Sequence, residues 1–462
     1  MLFNKLNIFI VALSVALFPV VAYAQSCQTH FTTITDLKPP TFGYPSVWDS
    51  KYGKREEFTQ VQTGVIGEED TVFIAGRRLD KDDYDIKTIF LAELNRRGRT
   101  MLEMNYKPAP GQTPIKMLET QKGFVLLSAI RSNGSNKRLQ GRVTWFNEKG
   151  VFRYDRLISD PKYDFIPVGM VPAAESDGSV LIMHAVNPND PNDNHGVLLR
   201  YMASGELLWK RSYRPGIPNQ ILALENVGNY GYLATGYIKN DDGRNSAWVL
   251  RLAYDGAINW QRVYPRGAAS AFYDAQVIPP TVTGDPKFIV SGKSLPLDGT
   301  PDAAMVMQLD PLGEPEWSRY YRRPDYKVNA RWIRREEDGR ISVILDAEAL
   351  DTVPGIANHV RMLSLTKRGD FLSDEAYYVG HGARATDFVS GWNGERIVIA
   401  TIEDDAHAAE GEEDVPLKVV GLVPDEPPTE EEIEAQKPKE PPIQRGWVMV
   451  GTPLDEFKDP CD

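Results

Sequence analysis

A seven-bladed β-propeller built from four-stranded antiparallel blades is the fold class this 462-residue sequence predicts. Three observations predict it. A strand–turn–strand phrase recurs six times, seven short apolar strands stand at matching places, and the start of the chain supplies the one strand that the last unit lacks.

The phrase is cleanest over residues 247–264, AWVLRLAYDGAINWQRVY: an apolar strand, a turn containing Gly, and a strand that carries an aromatic and ends in Tyr. The turn glycines of the six copies are Gly98, Gly150, Gly205, Gly256, Gly313 and Gly369, spaced by 51 to 57 residues. A period of that size with strand-like contents signals a ring or stack of small sheets. Before each copy lies a second strand, apolar along nearly its whole length: 71–76, 124–128, 180–184, 232–236, 288–292, 341–345 and, for a seventh unit, 397–401. Continuous apolar runs of this length belong to strands covered on both faces. More mixed strands such as 219–223 and 329–333 precede these, reached through turns rich in Gly, Asp and Asn.

The seventh unit lacks a complete phrase. Its third strand is read at Gly446–Val450, and its outermost strand at the chain start, where Val47–Gly53 matches Asn259–Tyr264. An N-terminal strand completing the last blade closes the ring and removes its free edges. A rival reading makes Leu417–Leu422 the third strand and Gly446–Val450 the fourth, which leaves the fold unchanged. Trp48, Trp209, Trp260 and Trp317 recur on the outer strands and are expected to pack between blades as framework. The second and sixth units carry Tyr154 and Phe371 nearby instead, and those blades are expected to be looser.

The termini speak to compartment. Residues 1–24 read as a signal peptide: Lys5, an apolar run from Ile8 to Val21, then Ala22-Tyr23-Ala24 for cleavage. The run is shorter than the roughly 20 residues that cross a bilayer, so no transmembrane segment is expected after its removal. Residues 25–462 then form a single domain, periplasmic or secreted. The two cysteines, Cys27 and Cys461, stand at its two ends, and an even count in an exported chain favours a disulfide that joins them.

The repeat resembles that of the bacterial propellers grouped with the quinoprotein-like superfamily, in which an apolar strand, an Asp-x-x-Gly turn and a Trp strand recur. Residues 249–260 and 305–317 carry the likeness. A quinoprotein dehydrogenase would imply a cofactor pocket with adjacent cysteines or a calcium-supported catalytic Asp. The chain has no adjacent Cys pair and no Cys-x-x-Cys-His, so the resemblance implies a scaffold, without a pyrroloquinoline quinone cofactor or redox catalysis.

Chemistry is sparse. The six histidines are scattered without zinc-site spacing, and neither a Gly-x-Ser-x-Gly elbow nor a phosphate-cradling loop occurs. The innermost strands offer Gln60, Lys116, Gln220, Gln276, Arg331 and Asp387 as lining of a central channel, a mixture suited to water or a small polar ligand rather than to the paired carboxylates of glycoside hydrolysis. Residues 404–445 form an acidic, Pro- and Glu-rich insertion in the last blade, expected to stay flexible. From 402 to 445 there are fourteen acids against four Lys or Arg, most of the formal charge of −12. Loops of the same class add Asp80, Asp82, Asp83, Asp85, Asp190, Asp193, Asp241, Asp242, Asp298 and Asp302, so one face is expected to be negative. Turn chemistry and solubility explain much of this. Attraction of a basic partner or of Ca²⁺ is the functional alternative, with Asn189, Asp190 and Asp193 as the calcium candidates, although they lack an EF-hand's spacing and Gly. Nucleic acid is not an expected partner, because no basic stripe could neutralise phosphates. The expected function is a non-enzymatic scaffold or binding module for a protein or envelope component. A carbohydrate-active or other hydrolytic enzyme with acids at the channel, such as Asp387, and a small-ligand sensor are the alternatives.

Overall fold

A computed structural model describes residues 31–38, 48–52, 58–67, 71–80, 86–120, 122–132, 137–174, 177–214, 216–280, 284–350, 358–377, 382–390, 395–404 and 443–451. The first two strands are β1 (Thr32–Asp36) and β2 (Trp48–Tyr52). Blade 1 follows as β3 (Phe58–Ile66), β4 (Val72–Leu79), β5 (Ile86–Leu94) and β6 (Thr100–Tyr106), and blade 2 as β7 (Thr113–Thr120), β8 (Gly123–Arg131), β9 (Leu139–Phe146) and β10 (Phe152–Ile158). Blade 3 contains β11 (Asp164–Pro172), β12 (Gly178–Val186), β13 (His195–Met202) and β14 (Leu207–Ser212), and blade 4 contains β15 (Asn219–Asn226), β16 (Tyr232–Lys239), β17 (Asn245–Leu252) and β18 (Ile258–Tyr264). Blade 5 is β19 (Ala269–Ile278), β20 (Lys287–Leu295), β21 (Ala303–Leu309) and β22 (Pro315–Arg322), and blade 6 is β23 (Tyr326–Arg335), β24 (Ile341–Ala349), β25 (His359–Leu365) and β26 (Phe371–Tyr377). Blade 7 takes β27 (Gly382–Ser390), β28 (Arg396–Asp404) and β29 (Ile443–Gly451) from the end of the chain and β2 from its start.

The closure is the one expected: β2 pairs antiparallel with β29, Trp48 opposite Val450 and Tyr52 opposite Gly446. Because β29 lies between β28 and β2, Gly446–Val450 is the third strand and not the fourth, which overturns the rival reading. Residues 417–422, the signal segment, and both Cys27 and Cys461 lie outside the described residues. Among the described residues, no helix is long and apolar enough to cross a membrane.

Blades adhere through the repeated phrase. Each of the six turn glycines has a positive φ, between 70° and 82°, and its N–H closes a turn onto the carbonyl three residues earlier, as Gly313 does on Asp310 at 3.0 Å. That left-handed conformation costs a side-chain-bearing residue more than it costs glycine. The site is also crowded, since a Cβ at Gly313 would stand 2.9 Å from the Trp260 indole of the blade before it and one at Gly369 would stand 2.7 Å from Trp317. The terminal Tyr completes the joint. Tyr213 and Tyr264 donate their hydroxyls to the carbonyls of Gly256 and Gly313 in the next blade, at 2.9 and 2.6 Å, and Tyr106 donates likewise to Gly150. Trp209, Trp260 and Trp317 thus lie between blades as expected, while the side chain of Trp48 is outside the described set.

One strand went unforeseen. β1 adds to the outer edge of blade 5, parallel to β22, with Thr32 opposite Ser318 and Asp36 opposite Arg322. Leu37, 4 % exposed, then enters the core shared by blades 5 and 6 beside Trp317, Tyr321 and Tyr326, and the carbonyl of Lys38 accepts from Arg361 at 2.9 Å.

Candidate functional site

All seven innermost strands carry an irregularity at the same place: their pairing slips by one residue at Gln62, Ile115, Val168, Leu222, Tyr273, Arg331 and Thr386. A β-bulge re-aims the side chains around it. Repeated seven times at one level, it turns a ring of side chains into the axis of the propeller. Six of these bulge residues, all but Gln62, line a central cavity of about 330 Å³ together with residues further along the same strands. The lining is divided by side. Blades 2 to 4 contribute Ile115, Val168, Met170, Leu222 and Leu224, with Ile182 reached where Gly169 has no side chain, and two charged residues, Lys116 and Glu225; blades 5 to 7 contribute Tyr273, Asp274, Arg331, Arg334 and Asp387.

The charges form pairs. Lys116 reaches across from blade 2 to Asp387, with Nζ 2.7 and 2.8 Å from the two carboxylate oxygens. Asp387 is 2 % exposed, and it also accepts from the Thr63 hydroxyl at 2.8 Å and the Phe388 N–H at 2.9 Å. Arg334 donates to Asp274 at 2.8 Å, and the Ile333 N–H donates to the same oxygen at 3.0 Å. Burial opposes the Arg334 charge, but Asp274, Glu225 and Asp387 outweigh it and hold its pKa above the ordinary value. Arg331 lies 3.3 Å from Asp346 and stacks over the Tyr273 ring at 5.0 Å. Burial raises the Asp346 pKa, with Arg331 and Arg384 working the other way.

Glu225 stands apart. It lines the cavity from β15 and, among the described residues, meets no cation at ion-pair distance; its polar neighbour is Gln276, whose amide lies 3.4 Å away. Protein surrounds the carboxyl on most sides, and burial pushes it up to about 8, Asp274 adding to the rise and Arg334 opposing it.

Of the residues named from sequence, Lys116, Arg331 and Asp387 line this cavity. Gln276 borders it through Glu225, while Gln60 and Gln220 lie two residues before the bulges of their strands and bond elsewhere, Gln60 to Arg77 at 2.7 Å and Gln220 to Tyr237 at 3.1 Å. Glu225, Asp274, Arg334, Tyr273 and Trp332 were missed. The signal that could have found them is the bulge itself, which breaks the alternation of each innermost strand but leaves no residue type as its mark.

The calcium candidates are otherwise engaged. Asp193 accepts from Lys162 at 2.6 Å, from the Tyr163 hydroxyl at 2.7 Å and from Asn187 at 3.1 Å, and these bonds, Lys162 first, hold its carboxyl below the usual range. Asp190 caps the short 3-10 turn Pro191–Asp193 through the Asn192 N–H, and Asn189 donates its backbone N–H to Asn187. These bonds occupy Asp193 Oδ2 and Asp190 Oδ1 and use Asn189 through its backbone N–H. Among the described residues, no three His, Cys, Asp or Glu gather as a metal site would require. The face expected to be negative is partly neutralised as well, because Lys162 pairs with Asp193, Arg244 with Asp242 and Lys293 with Asp302.

A second surface draws on the outer strands of blades 1 to 3. Met101 and Leu102 on β6, Phe152, Tyr154 and Leu157 on β10, and Leu207 and Leu208 on β14 are all exposed. Between blades 2 and 3 this surface deepens into a groove of about 510 Å³, where Trp145 and Tyr154 stack at 4.7 Å and Val125, Pro172 and Met202 form the walls.

No protein-family model matches the chain, and the comparison with curated proteins found no match. Solved structures of similar shape include Sqt1 from Chaetomium thermophilum, with a TM-score of 0.45, 9 % identity, and coverage of 78 % of this chain and 97 % of that one. The NanB sialidase from Streptococcus pneumoniae gives a TM-score of 0.41 at 10 % identity over 65 % of this chain and 67 % of its own, and a protein of unknown function from Dyadobacter fermentans gives 0.41 at 12 % over 87 % and 97 %. Likeness at this level carries nothing about activity. The architecture stands on the strand order itself: seven four-stranded blades in a ring, the fifth widened by β1, a β-propeller.

Proposed function

We propose that the chain is an exported, non-enzymatic β-propeller that serves as a binding or scaffold module for a protein or envelope component. The observation that supports this best is the apolar surface along β6, β10 and β14, which opens into the groove between blades 2 and 3. The groove is the concave part of that surface, and a concave apolar site rimmed by polar residues is the more common mark of an interaction site. This reading seats the partner on the outer strands rather than on the acidic loop face, where three of the acids are locally paired and most of the acidic insertion lies outside the described residues. A hydrolytic reading built on Asp387 has less support, since that carboxylate is held by Lys116, Thr63 and the Phe388 N–H.

A photocrosslinking residue placed at Leu157 or Leu208 should capture one and the same envelope protein in cells, and one placed at Asp241 should not. Capture from 241 alone, or loss of that product on deletion of residues 406–440, would return the binding site to the loop face.

A further inference from the structure

Two of the three carboxyls that line the central cavity already have a cation. Asp387 has Lys116 at 2.7 Å and Asp274 has Arg334 at 2.8 Å, while the remaining lining cation, Arg331, is 3.3 Å from Asp346 outside the cavity. The third, Glu225, has the Gln276 amide at 3.4 Å and, among the described residues, no cation at ion-pair distance. Next to it on its own strand are Leu222 and Leu224, which continue into the apolar wall of Val168, Met170 and Ile115. The cavity therefore offers one carboxyl with no cation at ion-pair distance among the described residues, at the border of an apolar surface, in about 330 Å³, a volume suited to a small molecule.

We propose that the cavity binds a primary alkylammonium ion, its head on the Glu225 carboxylate and its chain along the wall of Leu222, Val168 and Met170. The claim is independent of the partner surface on the outer strands. An anion in the same place would face Asp274 and Asp387 while every lining cation is committed to a carboxylate of its own. A neutral alkyl molecule would fill the apolar side without displacing the Glu225 proton, so proton release on binding separates it from an ammonium ion. The charged groups that face Glu225 come from blades 5 and 6: Arg334 resists the incoming charge, and Asp274 attracts it.

Ligand and proton compete for the same oxygens. With the free carboxyl held up to about 8, ammonium binding at neutral pH expels a proton, and affinity should fall about 100-fold from pH 9 to pH 6.

The probe is n-hexylammonium, titrated calorimetrically into the full mature chain, with hexanoate and 1-hexanol as comparisons. Hexylammonium is expected to bind in preference to both, to release close to one proton at pH 7 when two buffers of different ionisation enthalpy are compared, and to tighten from pH 6 to pH 9. Glu225→Gln should weaken binding at pH 9 and abolish the pH dependence. Proton release by the unaltered protein requires no variant, so a misfolded Glu225→Gln would not rescue the idea. Tighter binding of hexanoate, hexylammonium affinity independent of pH, or no heat at millimolar probe would each overturn it.

Discussion

Blades 2 and 5 share one architecture and differ at the outer edge. In blade 5 the edge strand β22 is covered by β1, and its residues Trp317, Ser318 and Arg319 are buried. In blade 2 the edge strand β10 is exposed from Phe152 to Leu157. At the blade 5–6 joint Trp317 packs on Gly369 and donates to Gln308 at 3.1 Å, with the Arg319 guanidinium 4.9 Å from its ring. At the blade 2–3 joint Tyr154 takes that position, stacks on Trp145, and reaches the Ala203 carbonyl at 3.1 Å. One joint is filled and the other leaves a groove. The same repeat can thus be spent on cohesion or left open for a visitor, and the choice rests on one aromatic and one added strand.

Breaking the filled joint should have the largest effect. Trp317→Ala, which removes an indole 2 % exposed, is expected to destabilise the protein by about 3–5 kcal/mol in urea unfolding. Leu37→Ala tests the strap over that joint and should cost about 2–4 kcal/mol, with a cleavable N-terminus as a second sign in limited proteolysis. The counterpart Tyr154→Ala removes a more exposed ring and should cost about 1–2 kcal/mol; a loss equal to that of Trp317→Ala would erase the distinction between the joints. Phe152→Ser combined with Leu157→Ser should move the unfolding midpoint by no more than about 0.5 kcal/mol while abolishing crosslinking from position 208. A last prediction concerns neither edge and is read as a slope with pH rather than as a shift at one pH. Because the Glu225 pKa is raised from 4.5 to about 8 on folding, its contribution to stability is complete below pH 4.5 and is lost as pH rises through 8, so Glu225→Gln should flatten the decline in stability between pH 5 and pH 8.

The blade period, the middle strands and the closing strand were all legible, because each leaves a mark in residue type: Gly where φ is positive, Trp and Tyr where blades meet, apolar runs where both faces are covered. The strand β1 was not, since Thr32-Thr33-Ile34-Thr35-Asp36 is short and polar and pairs with a segment remote in the chain. The site was legible only in part for a geometric reason. Lys116, Arg331 and Asp387 lie at or just after a bulge, Gln60 and Gln220 lie before it, and a slip of one residue decides which side chains turn to the axis. Glu225 carries no mark in the sequence, as its lack of a cation becomes visible only once Arg334 is seen committed to Asp274.

The two strands nearest the N-terminus find their partners late in the chain, Thr32 beside Ser318 and Trp48 beside Val450. Synthesis delivers the lock long before the doors it fastens. Blades 1 to 4 are built from neighbouring segments, whereas closing the ring joins segments at opposite ends of the described chain, the kind of long-range contact that contact-order reasoning places late in folding. A permuted chain that opens between blades 4 and 5 and joins the old ends would shorten that wait.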